Sequence, residues 1–237
     1  MKKSEEADIL LVQSPPWGTR TAPLGIAYLA AFLNFHSFNV KVFDLNIEIY
    51  RDSPVELKRR WDTQSFEFWS SESVLEKFST QLDKWVDRIL EFNIPIIGFS
   101  ASFAVSVPTL NAILQKIKKR GPMTTIIVGG MGVSFPEYRL KFNKHLIDYF
   151  IIGEGEFALK QLLGDILTGR EISSNNYYKS WKDHPEDRVL CVKGTTPVDI
   201  NYVPYPTFEG FNLELYIDRD MLPIISCLLY TSDAADE

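Results

Sequence analysis

The chain has 237 residues, enough for one large α/β domain or for a domain with an appendage. A hydrophobic fraction of 45% beside a charged fraction of 24% requires a packed core and excludes a disordered chain. The net charge of −6 excludes the basic field of a nucleic-acid surface, and no apolar run approaches the roughly 20 residues that cross a bilayer.

Met1-Lys-Lys-Ser-Glu-Glu-Ala-Asp8 leads straight into an apolar segment, with no signal-peptide core. Cys191 and Cys227 are too few for a disulfide framework or a multi-cysteine metal site. A reduced, cytoplasmic protein is expected, with neither nucleic acid nor membrane as partner. The basic cluster Lys116, Lys118, Lys119 and Arg120 reads as a solvated helix end ahead of Gly121 and Pro122, where positive charge complements the helix dipole.

Four Val- and Ile-rich runs end abruptly in small or polar residues: Asp8-Ile-Leu-Leu-Val-Gln13, Ile94-Pro-Ile-Ile-Gly-Phe-Ser100, Thr124-Thr-Ile-Ile-Val-Gly-Gly130 and Ile147-Asp-Tyr-Phe-Ile-Ile-Gly153. Continuous runs of this length suit strands buried on both faces of a parallel sheet. Phe38-Asn-Val-Lys-Val-Phe-Asp44 alternates and reads as a more exposed strand ending in an acid. Between the strands, Leu24, Ala27, Tyr28, Ala31, Phe32 and Phe35 repeat at helical spacing after Pro23. Val74, Phe78, Leu82, Trp85, Ile89 and Leu90 mark the buried face of a second amphipathic helix, from about Ser73 to Phe92, within a stretch 47–93. That stretch is longer than the usual link, so a helical insertion, an inserted flap, is expected there, with its Trp and Phe residues as core. A helix to about Lys119 and another carrying Leu159, Leu162, Leu163, Ile166 and Leu167 complete an alternating β-α pattern. The fold class is α/β: a doubly wound, parallel, five-stranded sheet of Rossmann-like or flavodoxin-like type. After Gly169, Asn175, Asn176 and the stretch 179–187 read as loop, Arg188-Val-Leu-Cys-Val-Lys193 as a short edge strand, and the proline-spaced segment after Asp199 as an extended linker.

In open α/β sheets ligands bind at the carboxyl ends of the strands. Gly129-Gly130 and Gly153-Glu-Gly-Glu156 are points where backbone can approach a ligand closely. The first strand–helix turn lacks G-x-G-x-x-G, and G-x-x-x-x-G-K-[ST] is absent, so neither a dinucleotide nor a nucleoside-triphosphate loop is supported. Glu154 and Glu156 read either as an acid–base pair or as groups that cap the next helix and favour its dipole.

In combination the motifs are more specific. Pro15-Pro16-Trp17-Gly18, Pro23-Leu-Gly-Ile-Ala-Tyr-Leu-Ala-Ala31, Val42-Phe-Asp44, Ile97-Gly-Phe-Ser100, Val128-Gly-Gly130 and Gly153-Glu-Gly-Glu156 resemble the amino-terminal cobalamin (B12)-binding domain of B12-dependent radical SAM enzymes. The resemblance covers residues 8–226, including Tyr205-Pro-Thr-Phe-Glu-Gly-Phe-Asn-Leu-Glu-Leu-Tyr216 as the bridge to a catalytic barrel. It implies residues 1–170 as the B12-binding domain and 171–226 as edge strand and linker toward a radical SAM barrel. Leu222-Pro-Ile-Ile-Ser226 matches the strand before the family's CxxxCxxC cluster loop, which is missing here.

By position, the resemblance gives cofactor contacts from Pro15, Pro16, Trp17 and Thr21; from Ser100, Ser102 and Ser106; from Gly129, Gly130 and Gly132; and from Gly153, Glu154, Gly155 and Glu156. The three serines bond the cofactor's tail or amides on this reading, or cap the following helix on the plainer one. No D-x-H-x-x-G motif is present, and the histidines are His36, His145 and His184. A base-off, His-off cobalamin is therefore implied, its lower cobalt face against the first loop, with no catalytic residue and no metal ligand in this stretch. The [4Fe-4S] cluster and S-adenosylmethionine would belong to the missing domain, whose enzyme is expected to be of methyltransferase type. The competing expectation is a cobalamin-free Rossmann-like module for binding or scaffolding. Cys227-Leu-Leu-Tyr-Thr-Ser-Asp-Ala-Ala-Asp-Glu237 matches, residue for residue, the in-frame translation of a transposase-end sequencing adapter. Residues 227–237 are therefore set aside from the fold, and native sequence is expected to continue beyond Ser226.

Overall fold

The structure, a computed structural model, describes residues 6–61, 65–71, 73–170, 178–180, 190–193 and 203–224. The stretch 227–237, Asn175, Asn176, His184 and Cys227 lie outside the described residues.

Five strands pair in parallel: β1 (Ile9–Gln13), β2 (Val40–Asp44), β3 (Ile96–Ser100), β4 (Thr125–Gly129) and β5 (Tyr149–Ile152). Two short strands, β6 (Tyr178–Ser180) and β7 (Leu190–Lys193), extend the sheet to the order β2-β1-β3-β4-β5-β7-β6. β7 runs parallel to β5, and β6 is antiparallel to β7. Here the structure corrects the sequence reading: β7 is flanked on both sides, and Lys179 and Ser180, read as loop, are strand residues. Three residues carry no readable period, and their state is decided by the open edge of β7 beside them.

Among the described residues, eight helices surround the strands: α1 (Leu24–Phe35), α2 (Leu45–Asp52), α3 (Val55–Lys58), α4 (Phe66–Ser70), α5 (Ser73–Leu90), α6 (Val107–Arg120), α7 (Pro136–Arg139) and α8 (Gly155–Leu167). All five residues of β1 are buried, because the period of two sends successive side chains to opposite, equally covered faces. Ile9 and Leu11 pack with Ile26 and Leu33 of α1 and with Leu159 and Leu162 of α8. Leu10 and Val12 share the other core with α5 and α6. Each fully buried side chain of this kind contributes about 1.5–3 kcal/mol.

The inserted stretch packs into that second core. Trp61, Trp69, Phe78 and Trp85 form a continuous ring cluster, with Trp69 and Phe78 stacked at 5.9 Å and Trp61 edge-on to Trp69 at 5.0 Å. α5 is the crossover helix that carries the chain from β2 to β3. Residues 203–224 form a strap along the domain, held by backbone bonds from Thr207 N to the Ala27 carbonyl and from Ile217 N to the Thr19 carbonyl.

Trp69→Ala should cost about 3–5 kcal/mol in urea unfolding, as expected for emptying a fully buried aromatic site. A loss below about 1 kcal/mol would show the insertion to be a loosely attached flap.

Candidate cofactor-binding site

The sheet order reverses between β1 and β3, so the loops after these strands diverge at the carboxyl edge, the position where such sheets bind ligands. Beside this point a cavity of about 420 Å³ runs from the edge down between the sheet and the pair α1 and α8. Its floor is a set of small residues. Gly98 and Ser100 are two apart on β3 and share a face, and Ser100 is in register with Gly129 of β4. A Cβ on Gly98 would come within 3.0 Å of Leu11 Cδ2 and 3.4 Å of Ile9 Cδ1. Side chains of neighbouring strands already lean into the space that Gly98 leaves. Leu29 of α1 and Gly155 of α8 meet above, where a Cβ on Gly155 would stand 3.1 Å from Leu29 Cδ2.

The loops at the mouth are tied to one another. Ser14 N donates to the Ser100 carbonyl at 3.1 Å, Ala101 N to the Gly129 carbonyl at 2.8 Å, and Gly132 N to the Ala101 carbonyl at 2.8 Å. Gly130 has φ +95°, and a Cβ there would sit 2.8 Å from the Ala101 oxygen, so this turn requires glycine. Buried Gln13, at the end of β1, donates to Ser102 Oγ at 2.9 Å, and Trp17 stacks on Phe103 at 5.8 Å.

The expected contacts fall into two groups. Ser100, Gly129, Gly130, Gly153, Glu154, Gly155 and Glu156 line the cavity. Pro15, Pro16, Trp17, Thr21, Ser102, Ser106 and Gly132 are not among the lining residues; they lie in the segments that follow β1, β3 and β4, with Ser106 buried in the turn that starts α6. The capping alternatives are not realised through side chains. Ser106 occupies the N-cap position of α6 without a side-chain cap bond, and its buried Oγ has no partner. Ser102 is engaged by Gln13. Glu154 is the N-cap residue of α8 but makes no cap bond. Glu156 enters the first turn with its Oε2 buried and unpartnered. Burial first, and then the neighbouring Glu154 charge, raise the Glu156 carboxyl above its ordinary pKa, while its own backbone N–H pulls the other way.

Sequence reading missed the walls Gly98, Leu29 and Gly25 and the hub Asn46. Gly98 carried a signal, since glycine inside a strand marks a close approach. Asn46 carried none, because its partners lie far off in the chain: Oδ1 accepts from Trp17 N at 2.9 Å and from Trp61 Nε1 at 2.8 Å. Two residues earlier, buried Asp44 caps α2 through Ile47 N at 3.0 Å and accepts a 2.6 Å bond from the Tyr216 hydroxyl.

Among the described residues no group of three or more His, Cys, Asp or Glu side chains is arranged to hold a metal ion. His36 follows α1, packed edge-on to Phe32 at 4.5 Å, and His145 lies in the turn Lys144–Leu146 before β5. Both positions are at the amino edge of the sheet, opposite the cavity mouth. No helix among the described residues is long and apolar enough to cross a membrane.

The B12 binding domain family matches residues 17–163, from the first loop through most of α8. The chain belongs to the B12-binding domain family. Cytidylyl-2-hydroxyethylphosphonate methyltransferase of Streptomyces wedmorensis is 22% identical over 222 residues, which span 84% of this chain and 38% of that protein. This chain thus spans well under half the length of that curated relative. Apo OxsB, a cobalamin-dependent S-adenosylmethionine radical enzyme, shares the fold with a TM-score of 0.51 at 16% identity, over 90% of this chain and 24% of OxsB. The radical S-adenosylmethionine methyltransferase TsrM from Kitasatospora setae, solved with cobalamin and a [4Fe-4S] cluster, aligns with a TM-score of 0.46 at 20% identity, over 69% of this chain and 27% of TsrM. In this B12-binding domain the family match begins at the loop that Asn46 holds.

Burial pushes the Asp44 carboxyl from 3.8 up to about 6, against the lowering bonds from Tyr216, Ile47 and Asn46 and with a further push from Glu48. The folded state therefore binds this proton more tightly than the unfolded chain. The associated stability is complete below about pH 4 and is lost as pH rises through about 6. Asp44→Asn, which keeps an acceptor for Ile47 N, should remove that dependence. Between pH 4 and 7 the wild type should lose up to about 3 kcal/mol relative to the variant in urea titrations. Parallel pH curves would show that Asp44 does not titrate in this window.

Proposed function

We propose that this B12-binding domain holds cobalamin with the corrin ring over the carboxyl edge of the sheet and the nucleotide tail in the cavity beside α1 and α8. The observation that carries the reading is the cavity floor of Gly98, Ser100 and Gly129, small residues at strand positions that elsewhere in this sheet carry large aliphatic or aromatic side chains. A second feature fits the tail: the buried, unpartnered Glu156 Oε2 offers an acceptor to a ligand hydroxyl or amide. On the ring side the binding groups are Pro15, Pro16, Trp17, Thr21, Ser102, Ser106 and Gly132, with Gly130, Gly153, Glu154 and Gly155 letting the backbone approach. Ser106 Oγ is buried without a protein partner, and Ser102 Oγ accepts from Gln13 Nε2.

The cobalamin is base-off and His-off on this reading. His36 and His145 stand at the far edge of the sheet, so the lower cobalt face meets the first loop around Trp17. The domain serves a cytoplasmic radical S-adenosylmethionine enzyme of methyltransferase type, whose [4Fe-4S] barrel follows the strap. The motif resemblance and the kinship to a named methyltransferase support this assignment. When bound, cobalamin supplies methyl-transfer chemistry. The residues of this chain orient the cofactor, bury its tail and keep water from its lower face.

Purified protein mixed with hydroxocobalamin and passed over gel filtration should carry about one cobalamin per chain, with the visible spectrum of the base-off form. Cobinamide, which lacks the nucleotide tail, should bind at least tenfold more weakly. Gly98→Val, whose Cβ would press on Leu11 Cδ2 and Ile9 Cδ1 and which adds two methyl groups at the cavity floor, should cost about 1–3 kcal/mol of stability, stay folded by circular dichroism and lose at least fiftyfold in affinity. Glu156→Ala should lose about tenfold, the effect of one hydrogen bond to a buried partner. Elution of all cobalamin away from the protein would end this reading.

A further inference from the structure

The junction between β2 and α2 carries two buried polar side chains, Asp44 and Asn46, that tie it to different parts of the chain. Asn46 is fully used. Its Oδ1 accepts from Trp17 N and Trp61 Nε1, and its Nδ2 donates to the Trp17 carbonyl at 3.4 Å and the Gly18 carbonyl at 3.2 Å. Two donors and two lone pairs are the whole capacity of the group. Asp44 accepts from the hydroxyl of Tyr216, a strap residue 172 positions away in sequence. The next two strap residues return to the same first loop: Ile217 N donates to the Thr19 carbonyl at 3.1 Å and Asp218 N to the Arg20 carbonyl at 2.8 Å. Arg20 and Asp218 add an ion pair at 2.7 Å. The packing agrees with the bonding, since Tyr216 is buried in a small cluster with Ala22 of the loop end and Ile47 of α2.

The first loop is thus held from within by Asn46 and from outside by the strap, and both anchors meet on one three-residue corner. We propose that this corner is a positioning device: Asp44 and Asn46 register the strap against residues 17–20, so that the placement of the strap sets the placement of Trp17. Asp44 and Asn46 touch no ligand in this scheme and act through the loop. A consequence, which rests on the cofactor reading above, is that whatever loads the strap from its carboxyl side adjusts the loop beneath the corrin. Trp17 also stacks on Phe103, so the adjustment reaches the loop after β3.

A purely structural role predicts something different. Asp44 caps α2 whether or not the strap is present, so loss of the strap bond would then be felt only as a general loss of stability.

The test is amide hydrogen exchange on the full chain without cofactor, comparing wild type with Tyr216→Phe, Asn46→Ala and Asp44→Asn. Tyr216→Phe removes one hydroxyl and leaves the α2 cap intact. Exchange in residues 15–21 should accelerate about five- to tenfold, with α6 unchanged. Asn46→Ala should do the same or more. Asp44→Asn, whose amide can accept from Ile47 N and donate to the Tyr216 oxygen, should exchange like wild type. Unaltered exchange at residues 15–21 in Tyr216→Phe would overturn the proposal, and so would equal acceleration in α6. In a parallel titration Tyr216→Phe should weaken hydroxocobalamin binding by a similar factor. If the wild type takes up no cobalamin, the cofactor reading fails while the exchange data still decide the coupling.

Discussion

A row of missing side chains governs this domain. A doubly wound sheet is normally sealed on both faces by interdigitated aliphatic residues, at the density of an organic crystal. On the face toward α1 and α8 that seal is broken at Gly98, Ser100 and Gly129, three neighbouring positions on two strands. The helices do not collapse into the gap. Leu29 already rests against Gly155, and α1 is fixed further along by Leu33 and Ile26 in the core below. A space of about 420 Å³ is the result. Its walls face solvent or a ligand, not the interdigitated side chains that seal the rest of the sheet, so a ligand of matching shape finds a preformed, largely apolar cleft.

The opposite face shows how the domain sustains that gap. There the aromatic residues concentrate: Trp61, Trp69, Phe78, Trp85 and Phe99 lie in one buried cluster with the apolar face of α6. Large rings bury large areas and gain further from edge-on and stacked contacts. The helical stretch between β2 and β3 is therefore less an accessory than the source of much of the core. It also reaches the site, because Trp61 donates to the same Asn46 oxygen that receives the Trp17 amide. Core and first loop are joined through one amide side chain.

Much of this was legible in the sequence. Buried parallel strands announce themselves as unbroken apolar runs: β1, β3, β4 and β5 stand out in this way with small or polar residues at their ends, which is why Ser100, Gly129, Gly130 and Gly153 through Glu156 fall on one edge, whereas β2 shows as an alternating run that ends in Asp44. The tryptophans of the insertion were read correctly as core. Features that depend on distant pairing were not legible. Asn46 sits in Asp44-Leu-Asn-Ile-Glu48, a stretch that reads as an ordinary polar helix start, and its importance comes only from Trp17 and Trp61. Residues 178–180 have no pattern of their own and become a strand because β7 offers an open edge. Gly98 was visible as a glycine within a strand but not as part of the cavity floor, since its role depends on the register that sets Leu11 beside it, leaning into the space the missing side chain leaves.

The buried carboxyl of Asp44 is a local cost borne for placement. An ionised group under cover is unfavourable unless it is well bonded, and burial does raise its pKa. An apolar residue at that position would leave the Ile47 amide uncapped and the buried Tyr216 hydroxyl without its acceptor. A longer acid would not fit the i, i+3 cap that fixes the start of α2. Aspartate meets both demands at once, and the start of α2 is what aims Asn46 at the first loop. The stability surrendered at Asp44 is thus bound up with the geometry of Trp17, and the aromatic core on that face supplies the margin that makes the exchange tolerable.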